Sequence, residues 1–203
     1  MDVEEINESL RDAGPVSVIR WALELAKTPV LTTNFRPYEA AILHAVTQQQ
    51  SDVPVIWCDT GYNTRRTYEH AVRTIAGLNL NIDVFVPEYS VGYRDVLMGI
   101  PHHDSDLHKE FTRQVKLEPF HRAMAKYSPD VWFTNIRKDQ TEFRSGLDIV
   151  SETQDGILRV SPFFNWNDDQ LQQYLEEHGL ESEENYFDPT KVLENRECGL
   201  HTQ

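Results

Sequence analysis

Apolar residues along this chain recur in two rhythms, helical spacing and short unbroken runs, and the switches between them mark out its elements. A helix is predicted over 3–10 with Asp2 as its cap, and Gly14-Pro15 interrupts it and starts a second over 16–26. Pro29 opens the run Val30-Leu31-Thr32-Thr33, which reads as a buried strand. After the turn Asn34-Phe35-Arg36-Pro37, the residues Ala41, Ile42, Ala45 and Val46 line one face of a helix within 38–49. The same order repeats with a strand over 54–58, the loop Asp59-Thr60-Gly61-Tyr62-Asn63 and a helix over 64–76. A third strand is predicted over 82–86, a helix over 117–127, a fourth strand over 131–134 and a fifth over 158–161. Asn167 caps a last helix that stops before Gly179, with Asp168 and Asp169 in its first turn.

Strands that alternate with helices imply one doubly wound, mostly parallel five-stranded α/β sheet with helices on both faces, and ligands at the carboxyl ends of its strands. The α/β domain is expected over 1–180, with a mobile C-terminal arm over 181–203. Two loops at those strand ends are the first places to look for a nucleotide: Thr33, Asn34 and Arg36 in one, Asp59, Thr60 and Gly61 in the other. Neither is a Walker A or GxGxxG sequence. Phe120, Met124, Tyr127 and Trp166 are expected in the core.

Charge narrows the ligand classes. The 203 residues carry a formal charge of −14, which argues against nucleic acid or an anionic membrane as partner. In so acidic a chain, Arg137 and Lys138 just after the fourth strand, with Arg144 close behind, form a candidate anion site; a plain surface patch would also account for them. Residues 88–116 lose periodicity. They hold His102, His103, Asp104, Asp106 and His108, but no i, i+4 histidine pair with a supporting carboxylate, so this stretch reads as a solvated loop and no metal site is expected. No stretch approaches the roughly 20 apolar residues that span a bilayer, and the acidic start is unlike a secretory signal, so a cytoplasmic location is expected. The two cysteines, Cys58 and Cys198, form no disulfide framework and no zinc or cluster site by themselves. Cys58, at a strand end, reads as a buried structural residue.

The other cysteine stands in the terminal segment Glu197-Cys198-Gly199-Leu200-His201-Thr202-Gln203. A free thiol is only about 3% thiolate at pH 7, and neighbouring cations such as Arg196 and protonated His201 raise that fraction. Gly199 lets the backbone turn tightly. Such a segment could act as a flap that carries a nucleophile over a pocket, with Lys191 and Arg196 flanking it; an inert tail with an incidental cysteine is the other reading of the same residues.

Five ordered segments bear a resemblance. Glu197-Cys198-Gly199-Leu200-His201, Asp59-Thr60-Gly61-Tyr62 with Thr67-Tyr68, Leu117-Glu118-Pro119 with Arg122-Ala123, the trio Arg137, Gln140 and Arg144, and Pro162 with Asn165-Trp166 together resemble the thioredoxin-dependent phosphoadenylyl-sulfate (PAPS) reductases, within the adenine-nucleotide α-hydrolase-like superfamily. The likeness runs from about Val30 to the end. It implies that Cys198 attacks the sulfo group of PAPS, giving adenosine 3',5'-bisphosphate and an S-sulfocysteine from which thioredoxin or glutaredoxin releases sulfite. It also implies that Arg196 and His201 assist and that the protein is a homodimer. Bound substrate is expected against Thr33, Asn34, Arg36, Asp59, Thr60, Gly61, Arg137, Gln140, Arg144 and Lys191. The cluster cysteines of the commoner adenylyl-sulfate (APS) reductases are missing, so no iron-sulfur cofactor is expected and the resolving thiol must come from another protein.

Three departures from the family stand out. Arg36 replaces a glycine in the first loop, Arg66 replaces an acidic residue near the second, and the connection from the Trp166 helix to Cys198 is short. The preference for PAPS over APS rests on the missing cysteines, so a cluster-free APS reductase is an alternative. An ATP pyrophosphatase of the superfamily would need a Ser-Gly-Gly-x-Asp-Ser loop after the first strand, which is absent. A nucleotide-binding or sulfur-carrier protein without turnover would not need the terminal thiol.

Overall fold

The protein is described here by a computed structural model covering residues 2–191. Six strands form its sheet: β1 (Pro29–Thr33), β2 (Val55–Cys58), β3 (Ile82–Phe85), β4 (Val131–Phe133), β5 (Val150–Glu152) and β6 (Leu158–Val160). Their order is β3-β2-β1-β4-β6-β5, every neighbouring pair being parallel except β5 with β6. Because β1 lies between β2 and β4, the chain leaves β1 toward one half of the sheet and later returns to the other. Such a switch point leaves a crevice at the carboxyl ends of the strands.

Alternation along the strands sends successive side chains to opposite faces. Leu31, Val55, Trp57, Val131, Phe133 and Val160 point into the larger core. It is closed by α2 (Pro15–Leu25), α3 (Glu39–Thr47), α4 (Arg65–Leu78) and α9 (Asp168–Glu177) through Val18, Ile42, Ala71 and Leu171. Val30, Ile56, Phe85 and Trp132 point the other way, onto Phe120 and Ala123 of α7 (Glu118–Tyr127), with Met124 and Tyr127 beside them. Trp166 packs against the larger core, as expected. The N-terminal helix α1 (Val3–Leu10) closes the far edge, where Asn7 both donates to Val150 O (2.8 Å) and accepts from its amide (2.9 Å).

Two expectations need correction. The sheet has six strands, not five: β5 is a three-residue antiparallel addition whose alternation is too short to register as a period. Residues 88–116 are not a loop; they hold α5 (Val91–Leu97), α6 (Asp106–Thr112) and the start of a π-helical turn, Arg113–Leu117. In α5 the usual pattern is inverted, with Arg94 fully buried while Val96 is 84% exposed, and that hid the helix from a reading based on apolar periodicity. A one-turn helix, α8 (Glu142–Ser145), follows β4. Residues 181–191 of the arm are tied to the body: Glu181 pairs with Arg73 at 2.8 Å, Ser182 Oγ accepts from the Tyr38 amide at 3.2 Å, and Asp188 pairs with Lys116.

Candidate active site

At the switch point the carboxyl ends of β1, β2 and β4 border a narrow cleft of about 70 Å³ that opens to solvent. Ile56, Phe120 and Trp132 make one wall apolar, while Thr33, Asn34, Asn135, Arg36, Lys116, Arg144 and Lys191 bring polar and cationic groups to the rest. Flat rings beside clustered donors suit a ligand with an aromatic base and anionic groups.

The loop after β1 turns tightly, with Phe35 and Tyr38 both in the left-handed region (φ 53° and 65°). The Thr33 hydroxyl accepts from the Phe35 amide (3.1 Å) and Asn34 Oδ1 from the Arg36 amide (3.2 Å). Phe35, fully buried, stacks edge-on against Trp57 at 4.8 Å and anchors the turn in the core. Arg36 is thereby folded back into the cleft, where its Nε donates to Glu39 Oε1 (2.9 Å) and its Nη2 to Asn135 O (2.8 Å). Glu39 is 4% exposed; burial pushes its carboxyl up, and Arg36, Thr33 and Asn135 act against that shift. Asn135 Oδ1 is buried with no hydrogen-bond partner, an acceptor that a ligand hydroxyl or amine would satisfy.

Lys116, from the π-helical turn, is held by Asp188 at 2.5 Å. Burial pushes Asp188 up, but the Lys116 ammonium and the Thr190 hydroxyl and amide outweigh it and bring the carboxyl down to about 2. This buried ion pair fastens the start of the arm to the cleft and brings Lys191 to its edge. Cys58 also lines the cleft; burial pushes its thiol up to about 12, with Lys116 and Arg122 offsetting only part.

Of the residues expected to touch substrate, Thr33, Asn34, Arg36, Arg144 and Lys191 meet in this cleft. Asp59, Thr60 and Gly61 do not line it. Asp59 Oδ1 accepts from the Gly61 amide (2.9 Å), Asn63 Nδ2 (2.8 Å) and the Tyr68 hydroxyl (2.9 Å), and the Thr60 hydroxyl accepts from the Tyr62 amide (3.2 Å). Gly61 has φ +81°, and a Cβ there would stand 2.6 Å from a Val91 methyl. Arg137 and Gln140 also lie off the cleft lining. Arg137 spans to Asp168 at the start of α9 (2.6 Å) and to Trp166 O (3.3 Å), while Gln140 Oε1 accepts from the Arg137 amide (3.1 Å) and from Arg144 Nη1, and so positions Arg144. Arg196, Cys198 and His201 lie outside the described residues.

Sequence reasoning missed Glu39, Asn135 and Lys116. Lys116 directly precedes the Leu117-Glu118-Pro119 segment, which was its one signal; Glu39 is one of 33 acidic residues and nothing local marks it as buried. Among the described residues, His102, His103 and Asp104 bring ligand-type atoms within 4.8 Å of one another, on a stretch where His102 and Asp104 are exposed and none lines the cleft. His108 is buried instead.

The model of the phosphoadenosine phosphosulfate reductase domain matches residues 28–188. A phosphoadenosine 5'-phosphosulfate reductase of Vibrio campbellii is 33% identical over 178 residues, covering 87% of this chain and 68% of its own length. The enzyme of that name from a Synechococcus species is 34% identical over 180 residues, covering 87% and 77%. Among solved structures, the phosphoadenylyl-sulfate reductase of Candida auris in its phosphate complex superposes with a TM-score of 0.77 at 23% identity, covering 89% of this chain and 87% of that one; at this identity the likeness is one of fold.

Proposed function

The chain belongs to the phosphoadenosine phosphosulfate reductase domain family, and from that premise we propose that it reduces 3'-phosphoadenylyl sulfate to sulfite by way of Cys198. The Cys198 thiolate attacks the sulfate sulfur and the bond from that sulfur to the bridging oxygen breaks. A cysteine S-sulfonate forms, and adenosine 3',5'-bisphosphate leaves with the electron pair. A thiolate of thioredoxin or glutaredoxin then attacks Cys198 Sγ and expels sulfite. Its second thiol resolves the mixed disulfide, so the reductant ends oxidised and Cys198 is restored.

The observation that carries this reading is the cleft itself, where Arg36, Lys116, Arg144 and Lys191 converge beside an apolar wall. Attack by a thiolate on an anionic phosphosulfate is opposed by charge, and fixed cations in a partly buried site offset that opposition. The leaving phosphate needs no general acid when its charge is held in this way. Lys191 lies seven residues ahead of Cys198, so no more than about 25 Å of extended chain separates the cleft edge from the thiol. Cys58 is poorly suited to the role: burial pushes its pKa up to about 12, which keeps the thiol protonated at pH 7.

The test is Cys198→Ser. Nucleotide affinity is expected to stay within about twofold while sulfite release with PAPS, thioredoxin and thioredoxin reductase falls to background; turnover that persists in the variant removes Cys198 from the mechanism.

A further inference from the structure

We infer that Glu39 is a specificity-determining residue: its buried carboxylate offsets part of the charge of Arg36 and sets how strongly the cleft distinguishes adenine nucleotides by their number of phosphates. This inference rests on the reading of the cleft as an adenine-nucleotide site and deepens it.

Arg36 reaches into the cleft from the loop after β1, yet it is not a bare cation. Its Nε faces Glu39 at 2.9 Å and its Nη2 is taken by Asn135 O, while Nη1 makes no hydrogen bond among the described residues. The side chain of Glu39 is 5% exposed and that of Arg36 19%, so solvent screens the pair weakly. Both side chains line the cleft, so an incoming anion meets a guanidinium already paired with a carboxylate. Geometry and charge therefore separate. Arg36 offers a directed donor in Nη1, and the Glu39 carboxylate beside it offsets part of the attraction that the guanidinium exerts on an anion.

A carboxylate so placed costs a ligand more the more charge that ligand brings. Adenosine 3',5'-bisphosphate carries one phosphate more than adenosine 5'-phosphate and should feel Glu39 more. Removing the charge while keeping a hydrogen-bonding side chain of the same size isolates this effect, since the packing of Arg36, Thr33 and Asn135 around the site is disturbed equally for both nucleotides. A purely structural Glu39 would shift both affinities together.

The experiment is calorimetric titration of the full-length chain and Glu39→Gln with the two nucleotides, with thermal melts as folding controls. The variant should bind the bisphosphate on the order of tenfold more tightly, the size expected of one partly buried charge, and the monophosphate no more than about threefold more tightly. A ratio of the two affinities unchanged within twofold overturns the inference. Should Glu39→Gln not fold, Arg36→Met reads the same charge from the other side: it leaves Glu39 uncompensated, and the bisphosphate should lose at least threefold more affinity than the monophosphate, equal losses being the contrary result. If the unaltered protein binds neither nucleotide, the reading of the cleft fails and takes this inference with it; if it binds both and only the ratio stays fixed, the reading stands and Glu39 has no part in selection.

Discussion

The loops that follow β1 and β2 leave neighbouring parallel strands at the same end of the sheet, and each is rich in polar side chains, yet they spend them in opposite ways. The β1 loop turns Asn34 and Arg36 into the cleft and leaves Arg36 Nη1 without a partner among the described residues. In the β2 loop Asp59 is consumed by Gly61, Asn63 and Tyr68, three donors from its own loop and the helix behind it. The position at a strand's carboxyl end thus nominates a loop for binding, but what decides its role is whether its hydrogen bonds are already satisfied from within. The β1 loop thus presents Asn34 and Arg36 to the cleft, while the β2 loop is latched to itself and to α4.

The contrast can be broken at several points, the strongest on the cleft side. Lys116→Met should destabilise the protein by about 3–5 kcal/mol, because Asp188 is left charged and buried without its partner, and it should also weaken nucleotide binding; urea unfolding and titration measure the two. Little change in stability would mean that the arm is not fastened through this pair.

A smaller effect is expected from acid. The carboxyl of Asp188 lies at about 2 in the folded protein, below its unfolded value near 4, so the stability it contributes is fully present above about pH 4 and is lost as pH falls toward 2. That amounts to about 2–3 kcal/mol, and urea midpoints between pH 5 and pH 2 should fall further for the unaltered protein than for Asp188→Asn. Parallel curves for the two would contradict the pair's role.

On the latch side, Gly61→Ala forces a side chain into a left-handed backbone and against Val91, at a cost of about 2 kcal/mol, read as a lower melting temperature. Nucleotide affinity of the folded variant should stay within twofold. A loss of affinity larger than the loss of stability would place this loop on the ligand after all and erase the distinction. Asp59→Asn, which keeps an acceptor for the same donors, should cost the least, about 1 kcal/mol by the same melt.

How much of this was legible in the sequence follows the range of the interactions. Local periods found α1, α2, α3, α4, α7 and α9 and five of the strands, because those elements bury one stripe or one face each. They missed β5, three residues long, and α5, whose polar Arg94 faces inward while Tyr93, Val96 and Leu97 face out. In the site, Thr33, Asn34 and Arg36 were legible from the rule that ligands gather at strand ends, Arg144 from the scarcity of cations in an acidic chain, and Lys191 from its place beside the terminal cysteine segment. Asn135 and Lys116 were not, since what makes them matter is a partner far off in sequence: Asn135 O bonds Arg36, 99 residues away, and Asp188 bonds Lys116, 72 residues away; Glu39 pairs with Arg36 only three residues before it, and what the sequence hides is its burial. Asp59 was legible as a loop residue, but its engagement with Tyr68 was not.

The central claim is that the cleft presents an activated sulfate to Cys198, and the most direct measurement is the intact mass of the protein after mixing with PAPS, or with APS, in the absence of any reductant. A gain of one sulfo group per chain is expected, mapped by peptide digestion to the segment that contains Cys198, with the nucleotide of the reacting substrate released in equal amount. An unmodified protein, or an adduct on Cys58, would contradict it.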